Sequence, residues 1–292
     1  MSDTTRVTDP LSLADILAIH PIGGAEFLGP ARPVAEPRVL GGVTAGQAVL
    51  AAWATVPGGR SVHSLQGTFL RPGYGDLPVT YGVHPSHDGG SYTTRSISAR
   101  QRDHIIFTGT VSFQEPEQGP TYQLPRLSAP APEKVLPADR MFGDDLTTLA
   151  WLSAIERTTL LEYRFPTPPV RVAGARGAAV APWHQVWIRP RSPIPGDDPM
   201  HAAALAYLTD VLLLSTALGP HRITTEDPDL RFATVNHSVW FHTPCKVDDW
   251  LLYEQEGTWA GSGRALCRGS VFHRDGTLVA TVMQEGMIRV AP

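Results

Sequence analysis

Apolar residues recur along this chain with two periods, and each period occurs twice. An apolar helical stretch over about 43–55 precedes strand-like alternation near 62–70, 78–85, 91–101 and 104–114. Beyond residue 180 the order returns: a strand near 180–189, a helix over about 199–218, then strands near 231–242, 248–256, 263–273 and 278–290. Between the two sets stand prolines at 116, 120, 125, 130, 132 and 137, which bar that stretch from being a long helix or a central strand. The expected organisation is an N-terminal unit over 1–115, a Pro-rich linker over 116–147 and a C-terminal unit over 148–292.

Short matches support a duplication. FLRP at 69–72 corresponds to FHTP at 241–244, Arg95 to Arg264, and Gln114-Glu115 to Gln284-Glu285, in the same order and at separations of 172, 169 and 170 residues. The second helix is bounded by Asp198 and Pro199 at its start and by Gly219-Pro220 at its end. Mostly Ala and Leu lie between, so the helix is apolar nearly all round and belongs inside a curved sheet. These features predict an α+β double hot-dog, in which two antiparallel sheets, joined edge to edge, each wrap around a long helix.

Two polar residues are out of place in that scheme. Asp210 falls well inside the expected helix, with Ala206, Tyr207, Leu213 and Leu214 at three and four positions from it. A carboxylate there must be hydrogen-bonded or resist ionisation. On the last strand one face reads Leu278, Ala280, Val282, Gln284, Gly286, Ile288 and Val290, which leaves Gln284 as its lone polar side chain. The counterpart Gln114 shares a face with Thr108, Thr110 and Ser112, and the first helix carries no acid. Only the C-terminal unit can therefore host a carboxylate site.

Composition narrows the function classes. Net charge is −4 and charged residues make up 18% of the 292, so no basic field exists to attract nucleic acid. Cys245 and Cys267 are the only cysteines, too few for a disulfide framework or a four-cysteine metal site, and Cys245 reads as a buried inert thiol. His237 and His242 are five apart on a strand and cannot share a metal, while His84 and His87 adjoin the turn Asp88-Gly89-Gly90. Neither a Gly-x-Ser-x-Gly elbow, a Walker A loop nor a dinucleotide fingerprint is present. The most apolar run, VLLLSTAL at 211–218, is less than half a membrane crossing, and the N-terminus lacks the pattern of a signal peptide. No metal or cofactor, no stable membrane insertion and a cytoplasmic setting are expected.

Longer motifs carry a resemblance. GGVTAGQAVLAA (41–52), VHSLQGTFLRPG (62–73), DGGSYTTRSISARQ (88–101), LAYLTD (205–210), ATVNHSVWFH (233–242), DDWLLYEQE (248–256), GRALCRGSVFHRDGTLVA (263–280) and QEGMIR (284–289) together resemble the acyl-CoA thioesterase II family of double hot-dog thioesterases. The resemblance implies hydrolysis of acyl-CoA to fatty acid and CoA by direct attack of a water held by Asp210, Thr234 and Gln284. Thr234 rests on resemblance alone, because alternation along its strand is ambiguous. Gly41, Gly42 and Gly46, at the start of the first helix, are the candidate oxyanion donors on the substrate side, and Arg71, Arg95 and Arg264 are available for CoA phosphates. A non-catalytic acyl-thioester-binding protein on the same scaffold is the rival reading. A hot-dog hydratase would need a His–Asp pair that the Asp210 helix lacks beyond His201. Association of chains into a homo-oligomer is also expected.

Overall fold

The computed structural model describes residues 11–31 and 38–291. Residues 1–10, which bear on the expected absence of a signal segment, lie outside the described part. The first half contains α1 (Leu13–Leu17), β1 (His20–Gly23), β2 (Glu26–Gly29), α2 (Gly41–Trp53), β3 (Ser61–Phe69), β4 (Val79–Asp88), β5 (Tyr92–Gln101) and β6 (His104–Gln114). After a 3-10 turn at Pro132–Lys134 come α3 (Ala138–Phe142), α4 (Leu146–Thr159), β7 (Leu161–Arg164), α5 (Val170–Ala175), β8 (Trp183–Pro190) and α6 (Asp198–Asp210). A 3-10 segment, Leu214–His221, leads to β9 (Leu230–Phe241), β10 (Leu251–Gly261), β11 (Arg264–Phe272) and β12 (Leu278–Val290).

The strands form one antiparallel sheet in the order β1-β2-β4-β5-β6-β3-β9-β12-β11-β10-β8-β7. Adding six to each label of the first half and reversing it reproduces the second half, so duplication is visible in the topology itself. The halves meet at β3 and β9, where Leu65 pairs with Val239 and Gly67 with His237. Each half thus contributes a sheet, and the two are joined edge to edge into a continuous ribbon.

Helices α2 and α6 lie antiparallel against each other inside this ribbon, Gly42 facing Tyr207 and Gly46 facing Ala203. Small residues allow the contact: a Cβ on Gly42 would stand 2.5 Å from the Tyr207 carbonyl oxygen, and one on Gly46 would stand 2.7 Å from that of Ala203. From Gly42 to Ala52 every residue of α2 is buried. The polar member Gln47 is satisfied by donating Nε2–H to the Ile16 carbonyl (2.8 Å) and accepting from the Tyr81 hydroxyl (2.7 Å). Through the first of these bonds α1 is tied to the core.

The linker is strapped across the outer face of the second half. Trp187 donates its indole N–H to the Pro130 carbonyl (2.9 Å), and the Leu127 amide donates to Glu254 (2.8 Å). Val135, Trp187, Trp250, Leu252 and Phe272 form a small separate core beneath it. Segment 198–221 contains a stretch long and apolar enough to span a membrane by composition, yet it is broken after Asp210 and largely buried in the protein.

His184, on β8, is 1% exposed, and neither ring nitrogen has a partner among the described residues. Burial pushes the imidazole down to about 4 from its usual 6.5, so between those values the unfolded chain takes up a proton that the folded chain refuses. Stability should therefore fall as pH drops from 6.5 to 4, His184 alone costing on the order of 3 kcal/mol at the acid end. Urea midpoints measured from pH 7 to pH 4 should fall less steeply in His184→Met than in the parent. Equal slopes would show that this ring becomes protonated within the fold.

Candidate active site

Asp210 is the last residue of α6, not an interior one, which corrects the expectation of an unbroken helix over 199–218. The backbone leaves the helix at Val211 (ψ 132°), and Leu212 adopts φ 66°, a left-handed conformation that costs a non-glycine residue about 1–2 kcal/mol. Helical turns resume only as the 3-10 segment. Continuous Ala and Leu composition hides this break, since nothing in VLLLSTAL distinguishes a turn from a helix.

A carboxylate at a helix C-terminus faces the negative end of the macrodipole. Here the adverse field is offset by the antiparallel partner. Helix α2 begins beside it, its N-cap residue Leu40 offers no side-chain acceptor, and the Gly42 amide donates to Asp210 Oδ2 at 2.7 Å. Asp210 therefore caps α2 from the other half of the chain.

Two strands complete the cluster. Gln284 on β12 is 0% exposed and donates Nε2–H to Asp210 Oδ1 (2.6 Å) and to Thr234 Oγ1 (3.0 Å). The Thr234 hydroxyl lies 3.4 Å from the same carboxylate oxygen. Gln284 Oε1 is buried without a partner among the described residues. Asp210 and Gln284, each unexplained by pattern alone, are thus bonded to each other, with Gln284 Oε1 left over.

Thr234 reaches this cluster through a bulge. Opposite β12, Asn236 pairs with Glu285 but Thr234 pairs with Gly286, so Val235 is an extra residue on β9. Asn236 bonds Thr68 and Glu285 on the outer face, whereas Thr234 turns inward to join Gln284. A strict period of two would have put Thr234 and Asn236 on one face, which is why alternation could not assign it.

The remaining sequence candidates separate. Gly41 borders the carboxylate: a Cβ there would stand 3.0 Å from Asp210 Oδ2 and 3.1 Å from the Phe69 ring. Gly42 spends its amide on Asp210, so it is not an uncommitted oxyanion donor. Gly46, expected near the site, serves helix packing against Ala203 and Leu17 instead. Arg95 is 2% exposed and binds Thr55 just past the opposite end of α2, which removes it from the mouth of the site. Arg71 bonds the Ile105 carbonyl, and Arg264 pairs with Glu285 over the Trp259 ring. Burial pushes the Cys245 and Cys267 thiols up to about 12, so neither is poised as a thiolate nucleophile. Among the described residues no group of three or more His, Cys, Asp or Glu could hold a metal ion.

Residues 27–114 match the family description "Acyl-CoA thioesterase N-terminal domain" and residues 155–287 match "Acyl-CoA thioesterase". The chain is 34% identical to acyl-coenzyme A thioesterase 8 of Homo sapiens over 95% of its own length and 88% of the relative's. It belongs to the acyl-CoA thioesterase II family. Acyl-CoA thioesterase 2 of Haemophilus influenzae is 30% identical, covering 95% of this chain and 97% of that one. Among solved structures, the acyl-CoA thioesterase II TesB2 from Mycobacterium marinum is 33% identical with a TM-score of 0.76, over 95% of this chain and 98% of that chain. The double hot-dog fold and thioester hydrolase activity follow from this membership, and with them the rival reading of a non-catalytic binder falls.

In this thioesterase the approach of α2 to α6 is a precondition of the site. Replacing a helical glycine by alanine ordinarily stabilises by about 0.4–1 kcal/mol. Gly42→Ala should do the reverse, because the methyl group meets the Tyr207 carbonyl, and a loss of about 1–3 kcal/mol is expected. Thermal unfolding of the variant checks this, and an unchanged or raised Tm would mean the helices are not in limiting contact.

Proposed function

We propose that this thioesterase hydrolyses acyl-CoA by direct attack of water, with Asp210 as general base and Thr234 and Gln284 holding the water. The observation that carries this reading is the convergence of Gln284 Nε2 and Thr234 Oγ1 on one carboxylate oxygen of Asp210, at 2.6 and 3.4 Å, beside the start of a buried helix. Water set between Asp210, Thr234 and the free Gln284 Oε1 is oriented before reaction, which lowers the entropic part of the barrier. As its oxygen bonds to the thioester carbonyl carbon, its proton passes to Asp210. The resulting oxyanion lies toward the N-terminus of α2, where the Gly41 amide, at the first helical position, is the candidate donor. Collapse expels the CoA thiolate, which recovers the proton from Asp210 and leaves the free acid. No covalent intermediate is needed, consistent with the suppressed acidity of both thiols.

The acyl chain is proposed to lie along the half-buried apolar residues at this end of the helix pair. Phe69 borders Gly41, Leu212 lies two residues beyond Asp210, and Phe232 pairs with Ile288 one step along the inner face from Thr234 and Gly286.

Asp210→Asn should lower kcat by about 10²–10⁴, the range for loss of a general base. Thr234→Ala and Gln284→Ala should each cost less, and the losses should be strongly non-additive because all three groups act on one water. Gln114→Ala should stay within about twofold of the parent, as a half-exposed polar side chain away from this cluster. Thiol release from an acyl-CoA panel measures all four. Retention of most activity by Asp210→Asn rejects the base, and a large loss in Gln114→Ala would mean the first half also works.

A further inference from the structure

A helix that stops leaves its last carbonyls without intrahelical donors, and the backbone there frays unless other groups hold it. Asp210 sits at such an end, with an extended residue after it and a left-handed one after that. Its carboxylate must nevertheless hold one orientation toward β9, β12 and the start of α2.

Strand β10 supplies the restraint. Tyr253 and Gln255, two residues apart and both 0% exposed, point inward from the same strand face. The Tyr253 hydroxyl donates to the Thr209 carbonyl at 2.7 Å, and Gln255 Nε2 donates to the Val211 carbonyl at 3.0 Å. The carbonyls immediately before and after Asp210 are therefore both held from one strand. The Gln255 amide is oriented in turn by Thr216 of the 3-10 segment, whose hydroxyl lies 3.4 Å from Oε1. Room for the Tyr253 ring comes from Gly269 on β11, where a Cβ would stand 2.9 Å from the phenol oxygen. Thr209 is held a second time through its hydroxyl, which lies 3.1 Å from Nε2 of the buried His237. None of these groups bonds the Asp210 carboxylate, whose partners among the described residues are Gly42, Thr234 and Gln284.

We infer that Tyr253 and Gln255 are positioning residues for the hydrolytic reaction: a two-point clamp on the backbone flanking Asp210 that aims its carboxylate at the attacking water. The inference rests on the assignment of Asp210 as the base. The clamp bonds the backbone on either side of Asp210 and not its carboxylate, so its loss should lower turnover without weakening acyl-CoA binding. A misplacement of the base well below 1 Å is enough to affect rate, since 1 Å can cost about a hundredfold.

Tyr253→Phe and Gln255→Met each remove one donor with little change of volume, and steady-state kinetics with thermal unfolding of the full chain test them. Each should lower kcat about tenfold while KM stays within twofold. A double-mutant cycle separates aiming from general damage. In an Asp210→Asn background, where no base remains to be aimed, the same substitutions should change the residual turnover by less than twofold. Equal fractional losses in both backgrounds would overturn the clamp in favour of a purely structural role. Parental kcat in Tyr253→Phe and Gln255→Met, with Asp210→Asn inactive, would overturn the clamp and leave the base intact. Parental kcat in Asp210→Asn would overturn the base and the clamp together. Should Tyr253→Phe fail to fold, Gln255→Met carries the same expectations alone.

Discussion

The architecture turns on one hydrogen bond between helices, from the Gly42 amide to Asp210 Oδ2. A carboxylate at the end of α6 is tolerable because the start of α2 lies against it, and α2 can start without a cap of its own because Asp210 is there. For the two to meet, the helices must run antiparallel at backbone contact. That contact requires glycine at 42 and 46 and the small residues of α6 around Ala203. Enclosing both helices then requires a sheet long enough to curve around the pair, which the pairing of β3 with β9 provides. Site, helix packing and sheet closure are thus aspects of a single geometric solution.

Much of the regular framework was legible because it repeats. Strands β3 to β6 and β9 to β12 fall within a few residues of the alternating stretches, and α2 lies two residues from its expected bounds. Strands β1 and β2 escaped because each is only four residues long and Pro21, Gly23, Gly24 and Gly29 interrupt any alternation. The end of α6 escaped for the opposite reason. Its apolar composition runs on unchanged through the break, which is made by tertiary bonds to Thr209 and Val211 and not by a local stop residue.

The polar centre was half legible. Asp210 and Gln284 stood out because each breaks an apolar pattern, and the structure pairs them at 2.6 Å. Thr234 could not stand out, since the residue that turns it inward, Val235, is an ordinary β-branched strand former whose bulging is decided by register against β12. Among the glycines, sequence grouped 41, 42 and 46 by proximity. In space Gly42 and Gly46, one helical turn apart, share the face that packs on α6, while Gly41 borders the carboxylate that the Gly42 amide bonds.

The buried helix α2 ends on charges of opposite sign. At its start stands the Asp210 carboxylate, and just past its finish the Arg95 guanidinium grips the carbonyl and hydroxyl of Thr55 while pairing with the exposed Asp88. The strand order of the ribbon is the same from either edge, but the two ends of α2 inside it are met differently. One pole is quenched by a cation held in five hydrogen-bonded or ionic contacts, whereas the other is met by an anion bonded to Gly42, Thr234 and Gln284. Likeness of the two halves is confined to what closes the sheet, and the ends of the helix pair are left free to differ. A molecule doubled in its framework can in this way set unlike charges at the two ends of one buried helix.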